Sequence, residues 1–258
     1  MAFAFFRLAP RYHISGTQSA TQAIDYLTRT GQQRFRARAA DLLHVETFRL
    51  PGWSRGDVRI FFKASEAYEA ARGDRRKGVW AIGMKCALPR EVDASQYLPM
   101  ARQFLEEACG DKAGFWVLHD QTASDGFPNV HIHILISARK LFDGRTPDLQ
   151  TFFADPRRGG HWKDTRLMKR ATAWHLRCLW IDITNAAYRE AGLGIQLPYA
   201  WSRRQQVRAL QREDAALEAQ QLRLQRDLLA LRNQARQHER THDHERTRKH
   251  ERGYDRGR

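Results

Sequence analysis

Apolar and polar positions alternate most clearly between Gly114 and Ser137. Val130, Ile132, Ile134 and Ile136 take every second position, with His131 and His133 between them. On an extended strand alternate side chains share a face, so 130–137 reads as a strand with an aliphatic face toward a core and both histidines on the other. The run 114–119, ending in His119, predicts a second strand, and the loop formers of 120–129 predict a hairpin between them. Other apolar runs predict strands over 3–8, 11–15, 45–49 and 79–88. Patterns of period 3.6 predict helices over 18–30, 57–72, 95–109 and 164–191; Gly31 stops the first, Gly192 the last, and Asp164 is placed to cap the last. Strands and helices do not alternate strictly, and a hairpin sits among them. That order predicts an α+β fold with a mainly antiparallel β-sheet and helices packed on one face, the other face being free to carry a site.

A different pattern governs the end of the chain. Between Trp201 and Gly253 there is neither Gly nor Pro, and residues 201–258 carry 15 basic against 9 acidic side chains. Leu210, Leu217, Leu224 and Leu231 recur every seventh position, but Asp214 and Gln221 spoil the companion seam. The prediction is a long basic helix, solvated rather than zippered, that frays into a disordered tail. His238, His242, His244 and His250 read as polar filler there. Two regions follow: a globular domain over 1–200 and a basic extension over 201–258.

Composition narrows the partner. The 258 residues carry a net charge of +15, which favours a polyanion, nucleic acid above all. An anionic membrane surface is the rival, yet no apolar run is long enough to span a bilayer. The segment before Arg7 is too short for a signal peptide. Cys86, Cys109 and Cys178 are odd in number and scattered, which predicts neither a disulfide framework nor a zinc–thiolate cluster, and a reducing, cytoplasmic setting.

Two groups of residues suggest chemistry. His119, His131 and His133, brought together by the hairpin, would present three neutral imidazoles to one metal and leave positions open for substrate. A bare His-x-His is commonly a packed pair; the third histidine on the partner strand is what favours a metal. Along 18–30 the apolar stripe is Ala20, Ala23, Ile24 and Leu27, and Tyr26 falls roughly 110° from its centre. It is either a ring half-buried at a helix edge or a phenolic nucleophile. A phenol with a pKa near ~10 needs help to attack at neutral pH, and a divalent cation on a phosphate supplies it. Basic and aromatic clusters suited to single-stranded DNA are Arg34, Arg36 and Arg38; Arg72, Arg75, Arg76 and Lys77; and Arg157, Arg158, His161 and Trp162. Each is equally compatible with a solvated surface.

The stretch from Tyr12 to Gly31, containing Ser19-Ala-Thr-Gln-Ala-Ile-Asp-Tyr26, resembles the start of MobA/MobL-type plasmid mobilisation relaxases. The resemblance continues in Phe62-Lys-Ala-Ser-Glu66-Ala-Tyr-Glu69, Ala87-Leu-Pro-Arg-Glu91, His131-Ile-His133 and Asn185-Ala-Ala-Tyr-Arg-Glu-Ala-Gly192, and so spans most of 12–197. It implies a His-hydrophobic-His endonuclease that nicks and rejoins one DNA strand at a plasmid transfer origin. Tyr26 would form the covalent link, and His119, His131 and His133 would hold Mg²⁺ or Mn²⁺. The implied partners are single-stranded DNA, accessory mobilisation proteins and a type IV secretion coupling protein. Two departures stand out: Lys85 occupies a position where the family often has an acid, and Ile195–Trp201 lacks the charged signature expected after the last helix. Lys85 suits a phosphate contact but not a base. Glu66, Glu69 and Asp25 are the candidate acid/base partners, with solvated surface charge as the alternative for all three. A rolling-circle replication initiator or transposase with the same chemistry, or a catalytically silent single-strand-binding module, are the competing readings.

Overall fold

The computed structural model describes residues 5–12, 19–31, 39–72, 78–123, 126–141, 148–154 and 156–200. The basic extension, Arg34, Arg36, Arg38, Arg75, Arg76 and Lys77 lie outside the described residues. In chain order the elements are β1 (Phe6–Tyr12), α1 (Ala20–Thr28), β2 (Leu42–Phe48), α2 (Val58–Ala71), β3 (Val79–Ala87), α3 (Tyr97–Cys109), β4 (Gly114–Thr122), β5 (Pro128–Ile136), a short α4 (Leu149–Phe152) and α5 (Arg170–Glu190). The strands form one antiparallel sheet in the order β1-β3-β5-β4-β2.

Several boundaries differ from the sequence expectation. The two strands expected at 3–8 and 11–15 meet in a single β1, with Pro10 inside it opposite Ile82. Proline is tolerated there because β1 is an edge strand and one side of its backbone needs no partner. The hairpin is tighter than 120–129 suggests, because β4 runs on to Thr122 and β5 begins at Pro128. Asp164 caps a separate 3-10 turn over Thr165–Met168 by accepting from the Arg166 amide, and α5 starts only at Arg170.

Helices cover both faces of the sheet, not one. Met84, Cys86, Trp116, Leu118, Ile132, Ile134 and Ile136 pack with Phe104 of α3 and Trp180 of α5. Ala81, Phe115, Val117 and Leu135 point the other way, into a second core with Ala20, Ala23, Ile24 and Leu27 of α1 and Phe61 and Phe62 of α2. The central strands are therefore apolar on both faces over much of their length, as doubly covered strands are. Polar residues alternate with apolar ones only near one end of the sheet, where the histidines lie.

The placement of α1 matters most for the site. Ser19 starts it with a capping box completed by Gln22, an arrangement that satisfies two of the open amides of the first turn. Its buried residues are the predicted stripe, Ala20, Ala23, Ile24 and Leu27. Its far end stops at Arg29, which adopts a left-handed conformation with φ of 55°. A non-glycine residue there costs on the order of 1 kcal/mol, so something must hold it.

Candidate metal centre and the helix beside it

His119 of β4 pairs directly with His131 of β5, and His133 lies two residues on, on the same face. The three ring centroids are 5.0 to 5.6 Å apart, and one ring nitrogen of each lies within 4.8 Å of the others. His119 and His131 are fully buried and His133 partly so. Since a carbonyl only accepts, the ring atoms facing one must donate. His131 Nδ1 donates to the Asn129 carbonyl at 2.7 Å, and His119 Nε2 donates to the Leu27 carbonyl at 2.8 Å.

That tautomer leaves His131 Nε2 as a bare lone pair, buried and without a hydrogen-bond partner. Burial is the main reason all three imidazoles stay neutral. It pushes His131 down to about 4 and, with repulsion from the neighbouring His131 and Lys85 adding, His133 to about 2; His119 is lowered too. Three neutral imidazoles with an orphaned, inward-facing nitrogen fit a divalent metal ion. An all-nitrogen set suits Mn²⁺ or Zn²⁺ better than Mg²⁺.

The last turn of α1 closes on this cluster. The residue before Leu27, whose carbonyl receives His119, is Tyr26, with 41% of its surface exposed. Two residues beyond Leu27, Arg29 is buried, with Nη2 3.5 Å from His119 Nδ1 and its guanidinium carbon 4.8 Å from the centre of the Tyr26 ring. Nη1 donates to the Tyr26 carbonyl. Asp41 grips Arg29 through two bonds of 2.8 and 2.9 Å and accepts a third from Gln121 at 3.1 Å. Burial alone would raise the Asp41 pKa, but these hydrogen bonds and the Arg29 charge outweigh it and hold the group below its ordinary value. The bidentate clamp offsets the backbone cost at Arg29. It also ties the last turn of α1 to the triad.

The acidic candidates do different work. Asp25 accepts from Arg59 at 2.6 and 2.9 Å and from Thr30. Glu66 accepts from the Ala20 amide at the opposite end of α1 from Tyr26. Glu69 is buried between Arg139 and Lys163. All three carboxylates are thus committed to structural partners. Among the described residues the acid linked to the triad is Asp41, through Arg29, and sequence reasoning missed it along with Arg29 and Gln121. No periodicity marks them, because they meet only when the chain before β2 is laid beside β4, where Leu42 pairs with His119.

Lys85 lies directly opposite His133 on the sheet. Burial, then the charge of Arg7, lowers its pKa. Arg157, Arg158 and Trp162 are not at the triad. They belong to a segment that pairs with residues just beyond β5, through Lys140 and the Arg139–Lys163 bridge. Trp162 is 56% exposed, as a base-stacking residue would be, but His161 is buried against Phe152. Arg72 lies over the Tyr68 ring.

Comparison with known proteins agrees with this architecture. A profile of the MobA/MobL family matches residues 19–225. A 43 kDa relaxation protein of Salmonella typhimurium is 31% identical over 148 residues, which is 55% of this chain and 38% of that protein. The chain therefore matches well under half the length of that relative. A solved structure described as the molecular basis of vancomycin resistance transfer in Staphylococcus aureus shares the fold, with TM-score 0.56 and 15% identity over 78% of this chain and all of that one. The conjugative relaxase TrwC in complex with OriT DNA is more distant, with TM-score 0.44 and 12% identity over 76% and 73% of the two chains.

Proposed function

The chain belongs to the MobA/MobL family, and from that premise we propose that it is a relaxase: a metal-dependent enzyme that nicks one DNA strand at a plasmid transfer origin and rejoins it through a tyrosyl–DNA link. The observation that supports this reading is the hydrogen bond from His119 to the carbonyl of Leu27, the residue after Tyr26. An exposed phenol, a neutral three-histidine ligand set and a clamped guanidinium meet at one end of one helix.

His119, His131 and His133 would hold the divalent ion, which when bound supplies Lewis acidity to the scissile phosphate. Tyr26 is the nucleophile. Its phenolic oxygen bonds to phosphorus and the bond from phosphorus to the 3′ oxygen breaks. The phenolic proton leaves to solvent, which reaches Tyr26, and the departing 3′ oxygen takes a proton from solvent to end as a hydroxyl. The phosphodiester is exchanged rather than hydrolysed, so the 3′ hydroxyl can attack the link and restore the strand. Arg29 holds the ring by its face and backs the attack with a positive charge; Asp41 and Gln121 hold Arg29. The basic surface and Lys85 would bind the single strand. Accessory mobilisation proteins and a type IV secretion coupling protein are the expected partners in a cytoplasmic setting. Among the described residues no helix is long and apolar enough to cross a membrane.

The test is incubation with single-stranded transfer-origin DNA and Mn²⁺ or Mg²⁺, followed by a denaturing gel. A covalent protein–DNA adduct is expected, lost in Tyr26→Phe while DNA binding persists. An undiminished adduct in that variant removes Tyr26 from its role. Binding with no adduct under any metal would make the chain a silent DNA-binding module.

A further inference from the structure

The face of the sheet that bears the triad also bears two adjacent cations. Arg7 of β1 is directly opposite Lys85 of β3, and Lys85 is directly opposite His133 of β5. Residues in such register share a face with Cβ atoms about 4.5–5.5 Å apart, so a row Arg7–Lys85–His133 runs from the sheet edge to the triad. Like charges directly opposite one another destabilise a sheet. Among the described residues no ion pair or hydrogen bond links either side chain to a carboxylate. Arg7 is exposed and Lys85 half-buried. Asp41 offers no relief, since Arg29 and Gln121 already take its oxygens.

The ligand set itself carries no charge, since it consists of imidazoles. A divalent cation entering it meets the charge of Lys85 on one side, while on the other the charge of Arg29 is already paired with Asp41. A single negative charge lying over Arg7 and Lys85 would remove that penalty, and its oxygens would satisfy both cations. A phosphodiester has that charge and those oxygens, and the proposed substrate is a chain of them.

We propose that Arg7 and Lys85 form a phosphodiester slot beside the triad, and that filling it with a DNA phosphate strengthens divalent-cation binding by His119, His131 and His133. By linkage the bound cation strengthens DNA binding by the same factor. The free protein then holds its metal weakly and loads it together with the strand. This inference rests on the metal-dependent reading above.

The test titrates the full chain with Mn²⁺, following free ion by electron paramagnetic resonance, with and without a short oligothymidylate, the oligonucleotide's own binding being subtracted. Mn²⁺ affinity is expected to rise on the order of tenfold with the oligonucleotide. Lys85→Met should bind Mn²⁺ several-fold tighter than the parent without DNA and lose most of the enhancement. Arg7→Gln, at an exposed position, should move both quantities the same way by less. Equal Mn²⁺ affinity with and without DNA, or an unchanged enhancement in both variants, overturns the coupling and leaves the metal reading intact. Absence of Mn²⁺ binding under every condition overturns the metal reading and the coupling with it.

Discussion

Arg29 Nη2 lies 3.5 Å from Nδ1 of His119, so a buried guanidinium touches the triad from the same helix turn that presents Tyr26. A charge so placed is suited to the reaction rather than to folding alone. Arg29→Gln should cut the rate of adduct formation at least about tenfold, with Mn²⁺ binding retained. Arg29→Lys should recover part of the rate, and added guanidinium should recover part of it in Arg29→Ala. Single-turnover adduct formation measures all three; full activity in Arg29→Gln would reduce the residue to a packing role.

Asp41 is the converse case. Asp41→Asn leaves Arg29 charged, buried and without its bidentate partner. Loss of one member of a buried pair costs roughly 3–5 kcal/mol, and the left-handed turn at Arg29 loses its clamp. Urea unfolding should report a loss of that order. A midpoint equal to the parent's would show that water replaces the carboxylate.

His131→Ala removes the imidazole whose Nε2 is the orphaned buried nitrogen. Changes to groups that merely support a metal ligand lower metal affinity roughly 10–100-fold, so loss of the ligand itself should exceed that range. Mn²⁺ titration checks it, and a chelator should abolish adduct formation by the parent.

Acid should weaken the junction ahead of α5. Burial would raise the Asp164 pKa, but the hydrogen bond from Arg166 and the charge of Lys112 outweigh it and hold it at about 2, against an ordinary 3.8. A depressed carboxylate stabilises the fold fully above its unfolded pKa and loses that contribution as pH falls toward its folded pKa. The loss falls between about pH 4 and pH 2. Arg166 is 66% exposed, so solvent screening limits the effect to about 1–2 kcal/mol. Asp164→Asn should flatten the pH dependence of unfolding in that window.

Gly114 opens β4 where a Cβ would stand 2.4 Å from the Leu135 carbonyl oxygen and 3.0 Å from Ile136 Cα. Both are backbone atoms and cannot swing aside. Gly114→Ala should destabilise the fold by about 1–3 kcal/mol, read from thermal unfolding, while Mn²⁺ affinity at the remote end of the hairpin changes little.

The sequence carried the parts of the site that obey local periodicity. His131 and His133 share a face because strands repeat every two residues, and Tyr26 lies beside the α1 stripe because helices repeat every 3.6. The stripe residues are the buried ones. Tertiary contacts carried the rest. Asp41 acquires its role from Arg29, twelve residues away, and from Gln121, eighty residues away. Asp25, Glu66 and Glu69 lost theirs to Arg59, the Ala20 amide and Arg139, which no local pattern announces. The histidine face reads as bare in the sequence because polar imidazoles there alternate with an aliphatic row. Phe115, Val117 and Leu135, on the same face, are core.

Pairing of His119 with His131 also orders the events of folding. All three imidazoles sit on one hairpin, so closing a single short loop assembles the ligand set, an event that takes on the order of microseconds. Tyr26 and Arg29 arrive only when α1 docks across a contact of some ninety residues' separation, the kind that forms late. In refolding followed by Mn²⁺ resonance and Tyr26 reactivity together, the ion is expected to find its ligands before the phenol finds the ion.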